Sequence, residues 1–259
     1  MNRLFSLSLV LAFAAVTPFT LRAGESTNLP AATDRPFTCV LVHGAWGGGW
    51  DWKQVDQLLT TDGNKVYRAT LTGQGERSHL ANTNIDLDTH IQDIVNVILW
   101  ENLHDVVLVG HSYGGMVITG VADRVPDRIR RLVYVDAFVP TNGESADSIR
   151  GHTGIDLPVI NGFIPPVWVK GNPPPPHDVP QAARTFTQPI VLTNQVAAGK
   201  LPVTYILTVD HGEPPEQDPF YPFYQRAKAC GWTAIIMEGD HNVQRSHPRE
   251  LAKLIEQEP

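Results

Sequence analysis

The stretch Asp105-Val106-Val107-Leu108-Val109-Gly110-His111-Ser112-Tyr113-Gly114-Gly115 decides how the rest of the chain is read. Its first half is a continuous apolar, β-branched run, the pattern of a strand buried on both faces. Residues 114–124 carry a helical pattern. Gly110-x-Ser112-x-Gly114 therefore falls at a strand-to-helix junction. By itself G-x-S-x-G is common and weak. In this context it predicts a sharp, strained turn that lifts the Ser112 hydroxyl clear of a sheet. The small flanking residues let the backbone pass close to its neighbours, and the helix N-terminus favours negative charge developing nearby. The bland alternative is a tight turn that merely contains a serine.

Outward from this stretch, strand-like runs lie at 37–42, 65–69, 129–135, 203–207 and 233–237. Helical patterns lie at 50–61, 87–100, 220–228 and 248–256. Short apolar strands alternating with helices predict an α/β fold, a mostly parallel central sheet flanked by helices. A length of 259 residues suits one such domain. With 42% hydrophobic and 18% charged residues the chain is not intrinsically disordered. A net charge of −7 argues against nucleic acid as a partner. Two cysteines exclude a disulfide scaffold. Cys39, inside one strand-like run, and Cys230, just ahead of another, read as buried free thiols rather than a pair. Neither has metal-ligand spacing, and no metal or organic cofactor is expected.

The alternation breaks over residues 141–200. Of the 21 prolines, 14 fall between 155 and 222. The stretch also holds Ile164, Val167, Trp168, Phe186 and Ile190, so it has apolar surface to bury and reads as an inserted lid rather than a linker. Core segments are expected at 36–140 and 201–259. Residues 1–23 have Arg3, an apolar run and then small residues, the layout of a secretory signal peptide, with 24–35 as a linker. The apolar run is shorter than the ~20 residues a membrane span needs, so no stable membrane anchor is expected. The location implied is periplasmic or secreted, and the chain is read as a monomer or homodimer.

Candidate partners for Ser112 follow from position. His43-Gly44-Ala45-Trp46-Gly47-Gly48-Gly49-Trp50 comes directly after the first apolar strand. Such a turn can offer backbone N–H groups to a carbonyl oxygen that becomes negative, here those of Ala45 and Tyr113. A flexible glycine connection is the bland alternative, and His43 reads as a packing residue. A general base should follow the last strand and precede the last helix, which selects His241, with His247 as fallback. The carboxylate that orients it is left open. Asp136 ends the strand after the nucleophile helix, and a charge there needs a partner. Asp210, Glu213 and Glu216 occupy the turn after residue 208, which also fits a solvated loop.

The segments HGAWGGGWDW, LTGQGERSHL, DLDTHIQDIVNVI, VVLVGHSYGGMVI, LVYVDAFVP and GDHNVQRSHPRELA resemble the α/β-hydrolase superfamily. More narrowly they are similar to bacterial esterases related to plant hydroxynitrile lyases and methyl esterases. The resemblance covers about residues 37–256. It implies an eight-stranded sheet, a lid inserted after the sixth strand, the Ser112–His241 pair, and oxyanion donors at Ala45 and Tyr113. Plant members carry their acid after the seventh strand, where this chain has no clean match. Bacterial relatives share D-A-F-V-P, which supports Asp136. The lyases carry a Thr after the first His and a Lys after the catalytic His, but here Gly44 and Asn242 stand there, so cyanohydrin cleavage is not expected.

The reading is a serine hydrolase of carboxylic esters, with Trp46, Phe138 and Trp168 in an apolar pocket suited to hydrophobic or aromatic esters or lactones. A lyase or C–C bond hydrolase on the same residues, and a non-catalytic ligand-binding homologue, are the alternatives.

Overall fold

A computed structural model describes residues 36–151 and 157–257. The leader expected at 1–23 and the linker at 24–35 lie outside the described residues. In chain order the strands are β1 (Thr38–Val42), β2 (Lys65–Ala69), β3 (Val106–His111), β4 (Ile129–Val135), β5 (Phe163–Ile164), β6 (Gln181–Ala182), β7 (Val203–Val209) and β8 (Thr233–Glu238). The helices are α1 (Lys53–Thr61), α2 (Leu87–Trp100), α3 (Gly114–Arg124), α4 (Ala146–Ile149), α5 (Arg184–Thr187), α6 (Gln195–Ala198), α7 (Tyr221–Ala229), α8 (Val243–Ser246) and α9 (Pro248–Glu256).

The central sheet is parallel throughout, in the order β2-β1-β3-β4-β7-β8. Alternate residues of each inner strand serve opposite faces. Val40, Val42, Leu108, Leu132 and Tyr134 pack on the side of α2, α3 and α7. Cys39, Leu41, Val107, Val109, Val133 and Val135 pack on the side of α1 and α9. This double burial is why these strands read as unbroken apolar runs. Helix α2 begins where the Asp86 carboxylate accepts from the Thr89 N–H at 3.0 Å, an N-cap that starts the helix without a proline or glycine signal.

Two expectations need correction. The sheet has six strands among the described residues, not eight. Its outer strand β2 carries Lys65 and Arg68, whose charge leaves an edge that needs no further strand. The inserted segment consequently follows the fourth strand of the sheet rather than the sixth, leaving after β4 and returning at β7. It contains a two-stranded antiparallel pair, β5 with β6, and the short helices α4 to α6. These fall below the length at which a hydrophobic period can be read. The second correction concerns the thiols. Both cysteines are free, but only Cys39 is buried; Cys230 is exposed because it terminates α7 where the chain turns outward.

Helix α3 is seated against the end of β4 through glycine. A Cβ built on Gly115 would stand 2.1 Å from the Phe138 carbonyl oxygen, and backbone cannot yield as a flexible side chain can. Gly115→Ala is expected to lower the unfolding free energy in urea by about 1–3 kcal/mol or more. Gly151→Ala, with no described residue within 4 Å of its new carbon, is the near-neutral control. Equal midpoints for the two variants would contradict this packing.

Candidate active site

The parallel pairing of β3 with β4 ends at His111 opposite Val135. The next residue of one strand is Ser112, and of the other Asp136. Both turn sharply there, with φ of 53° and 44°, in the left-handed region. Hydrogen bonds hold each turn. The Ser112 N–H donates to the Val135 carbonyl at 3.2 Å, and the Ser112 carbonyl accepts from the Phe138 N–H at 3.1 Å. The Asp136 N–H donates to the Ile206 carbonyl at 2.7 Å.

His241 comes in from the loop after β8. Its Nε2 lies 3.0 Å from Ser112 Oγ and its Nδ1 2.5 Å from Asp136 Oδ2. Asp136 is 1% exposed, and its other oxygen accepts from the Thr208 N–H at 3.2 Å. The Nδ1 contact leaves Nε2 free to accept from the serine hydroxyl. Two rings pack on the imidazole. Phe220 stacks on it at 4.8 Å between ring centres and 18° between planes, and His111 approaches to 4.6 Å. His111 Nε2 also donates to the His241 carbonyl at 2.6 Å, fixing the loop. Asp210, Glu213 and Glu216 are exposed, and no hydrogen bond joins any of them to His241. His247 is directed instead to the Ser246 hydroxyl.

The turn at 43–50 runs beside Ser112. A Cβ on Gly44 would come within 2.9 Å of His111 Nδ1 and 3.1 Å of Ser112 Cβ, so only glycine permits the approach. His43 is fully buried; its Nε2 accepts from the Leu71 N–H at 3.0 Å, and its Nδ1 donates to the Gly44 carbonyl at 2.7 Å. Among the described residues, neither the Ala45 nor the Tyr113 backbone N–H has a hydrogen-bond partner. Behind Tyr113, buried His90 donates through Nε2 to the Thr72 carbonyl at 3.0 Å and accepts from the Tyr113 phenol through Nδ1 at 3.1 Å.

Ser112 borders a cavity of about 450 Å³. Trp46, Phe138 and Trp168, the pocket residues expected from sequence, all lie on its wall, joined by Leu157, Phe186 and Phe220. Its polar side brings together residues that no sequence pattern flagged. Arg245 Nε is 2.8 Å from Asp51 Oδ1, a contact of charges that ties α8 to the turn beside Ser112. Burial is the main force pushing the Asp51 carboxyl up, to about 6. Asp218 is likewise pushed up to about 6, first by burial and then by the charge of Asp136. Among the described residues no group of three or more His, Cys, Asp or Glu could hold a metal ion, and no helix is long and apolar enough to cross a membrane.

Comparison with known proteins gives the family of the fold. The model of the alpha/beta hydrolase family matches residues 39–254. The chain is 39% identical over 236 residues to a carbendazim hydrolyzing esterase of Nocardioides sp. (strain SG-4G), covering 83% of this chain and 96% of that one. It is 35% identical over 108 residues to methylesterase 2 of Arabidopsis thaliana, 41% of each. Among solved structures, an extracellular alpha/beta-hydrolase from a Paenibacillus species superposes with a TM-score of 0.62 at 26% identity, over 85% of this chain and 98% of that one. The chain belongs to the alpha/beta hydrolase family and is an enzyme of the carboxylesterase type.

Burial lowers the pKa of His43 and His90 to about 4, and that of His111 well below its usual value. Imidazole resonances of His43 and His90 are therefore expected to stay fixed between pH 8 and 5. Exposed His211, raised by its contact with Glu238, should titrate above the ordinary histidine value. Movement of the His43 or His90 signals near pH 6.5 would refute the neutral assignment.

Proposed function

We propose that the protein cleaves carboxylic esters through an acyl-enzyme on Ser112. His241 is the general base, Asp136 the carboxylate that orients it, and the Ala45 and Tyr113 N–H groups the oxyanion donors. The observation that carries this reading is the unbroken relay of 3.0 Å and 2.5 Å contacts from Ser112 Oγ through His241 to buried Asp136.

Attack begins when Ser112 Oγ adds to the ester carbonyl carbon and its proton passes to His241 Nε2. The imidazolium that forms is stabilised by the Asp136 charge across the short Nδ1 contact. The carbonyl oxygen, now negative, takes two N–H groups that have no competing partner. Each such donor lowers the barrier by roughly 3–4 kcal/mol. His241 then returns the proton to the departing alcohol, and the same imidazole activates the water that releases the acid.

The apolar wall of Trp46, Phe138, Leu157 and Phe186 favours hydrophobic or aromatic acyl groups or lactones. The relative from Nocardioides, a carbendazim hydrolyzing esterase, supports the esterase reading at the level of reaction class. Gly44 and Asn242, where the lyases carry Thr and Lys, weigh against cyanohydrin cleavage. On this reading residues 141–200 form the lid and residues 1–23 an export signal, so the esterase works outside the cytoplasm as a monomer or homodimer.

Stopped-flow measurement on a series of p-nitrophenyl esters tests the assignment. The native chain should give a burst of p-nitrophenol stoichiometric with Ser112, absent in Ser112→Ala. Asp136→Asn is expected to lose about 10⁴-fold in kcat, because the amide stabilises the wrong imidazole tautomer. Asp210→Asn should leave the rate unchanged. Ester hydrolysis that survives Ser112→Ala, or a loss in Asp210→Asn matching that of Asp136→Asn, would sink the assignment.

A further inference from the structure

The stretch 179–186 of the inserted segment touches the neighbours of both unpartnered backbone donors. Trp46, one residue past Ala45, has φ of 63°, a conformation that a bulky side chain adopts only when its surroundings impose it. The imposing contacts all come from the insert. The Trp46 N–H donates to Gln181 Oε1 at 2.9 Å, and the Trp46 carbonyl accepts from the Val179 N–H at 2.9 Å. The indole N–H donates to the Ile164 carbonyl at 2.9 Å. Trp46 therefore joins the β5–β6 pair by its main chain and by its side chain.

Gln181 is 1% exposed and makes two bonds, one with each end of its amide. While Oε1 accepts from Trp46, Nε2 donates to Thr185 Oγ1 at 2.8 Å. Thr185, fully buried, donates in turn to the Ala182 carbonyl at 2.7 Å. Phe186 stacks on the Tyr113 ring at 5.4 Å and 15°, and packs on Trp46 at 5.7 Å. Three residues within one short stretch thus connect Trp46 on one side of Ser112 with Tyr113 on the other.

We propose that Gln181 is a positioning residue for the oxyanion donors, and that residues 179–186 brace the two turns on which those donors sit. This rests on the acyl-enzyme reading above. The Trp46 N–H belongs to the Ala45–Trp46 peptide unit, so the bond to Gln181 sets that plane. Without an acceptor there, the buried N–H is orphaned and Trp46 can relax toward negative φ. The adjoining peptide then rotates, and with it the Ala45 N–H. A donor displaced rather than deleted costs part of what its removal would cost.

The test compares Gln181→Leu, which removes the acceptor, with Gln181→Glu, which keeps one. Each is assayed for kcat and KM on a p-nitrophenyl ester and for inhibition by the trifluoromethyl ketone with the same acyl chain, whose adduct carries the oxyanion. Gln181→Leu is expected to lose roughly 10- to 50-fold in kcat with little change in KM, and ketone affinity should fall by the same factor. Gln181→Glu should recover most of both. Should Gln181→Leu fail to unfold cooperatively, Thr185→Val is read instead, with the same pattern expected. An unchanged kcat, a loss confined to KM, or ketone affinity that stays native while kcat falls would each overturn the brace. Absence of any burst in the native chain is a distinct result, which removes the acyl-enzyme reading and this inference with it.

Discussion

The register between β3 and β4 is the constraint on which the rest depends. Parallel strands carry their C-terminal ends to the same edge of the sheet, and the two here finish in step, His111 against Val135. A serine and an aspartate placed one residue beyond those ends must come out side by side. Each then turns out of the sheet, because its backbone hydrogen bonds go to the neighbouring strand: Ser112 to Val135, and Asp136 to Ile206 of β7. A slip of one residue in either strand would reverse which faces its side chains serve and separate the pair. The apolar alternation that builds two cores, one on each side of the sheet, therefore also locates the chemistry. His241 completes the arrangement from the far side of β7, since β8 ends at the same edge.

Electrostatics at this edge follow from burial. Three histidines around the serine are held neutral by low-dielectric surroundings and by backbone partners that demand one protonated nitrogen each. His43 and His90 support the Ala45 and Tyr113 turns, whereas His111 supports the His241 loop. Their role is to hydrogen-bond without contributing charge, and two carboxylates lie near His241. Asp136 contacts it directly. Asp218 is close enough for the Asp136 charge to raise its pKa, and it accepts from the Phe220 N–H at 2.7 Å, which fixes the ring that stacks on His241. The acid-rich turn after β7 thus meets His241 through an aromatic face and a capping carboxylate, while the carboxylate bonded to its Nδ1 is Asp136.

Much of this was legible in the chain itself, and what was not has physical reasons. The run 105–115 disclosed a buried strand, a turn and a helix because each leaves a different hydrophobic period. His241 was legible because the last strand and last helix bracket it. The choice between Asp136 and Asp210 was not, since both are acids following strands and their difference lies in pairing register, which no local pattern records. The count of eight strands came from the resemblance, whereas the apolar runs themselves mark the six strands that the sheet has. Cys230 sits before an apolar run yet caps a helix at the surface, where the fold and not the composition decides exposure. Gln181 was invisible. It lies in a proline-rich stretch with no period, and its partner Trp46 is 135 residues away.

Strain distribution argues that the inserted segment is part of the site rather than a cover over it. Among the described residues, six other than glycine have positive φ: Trp46, Asn102, Asp105, Ser112, Asp136 and Asn161. Asparagine and aspartate tolerate this conformation, tryptophan and serine far less. The two intolerant residues both stand at the cavity. Such conformations persist only where surrounding structure over-determines them. Ser112 is held by the sheet, through hydrogen bonds to Val135 and from Phe138 that exist wherever β3 and β4 pair. Trp46 has no such support from the sheet. Every polar bond it makes goes to the insert, at Ile164, Val179 and Gln181. A core without its insert would therefore keep the serine turn and lose the Trp46 turn. Variation in the segment that shapes the pocket is consequently not free to alter substrate fit alone, because any change that moves β6 also moves the peptide next to Ala45.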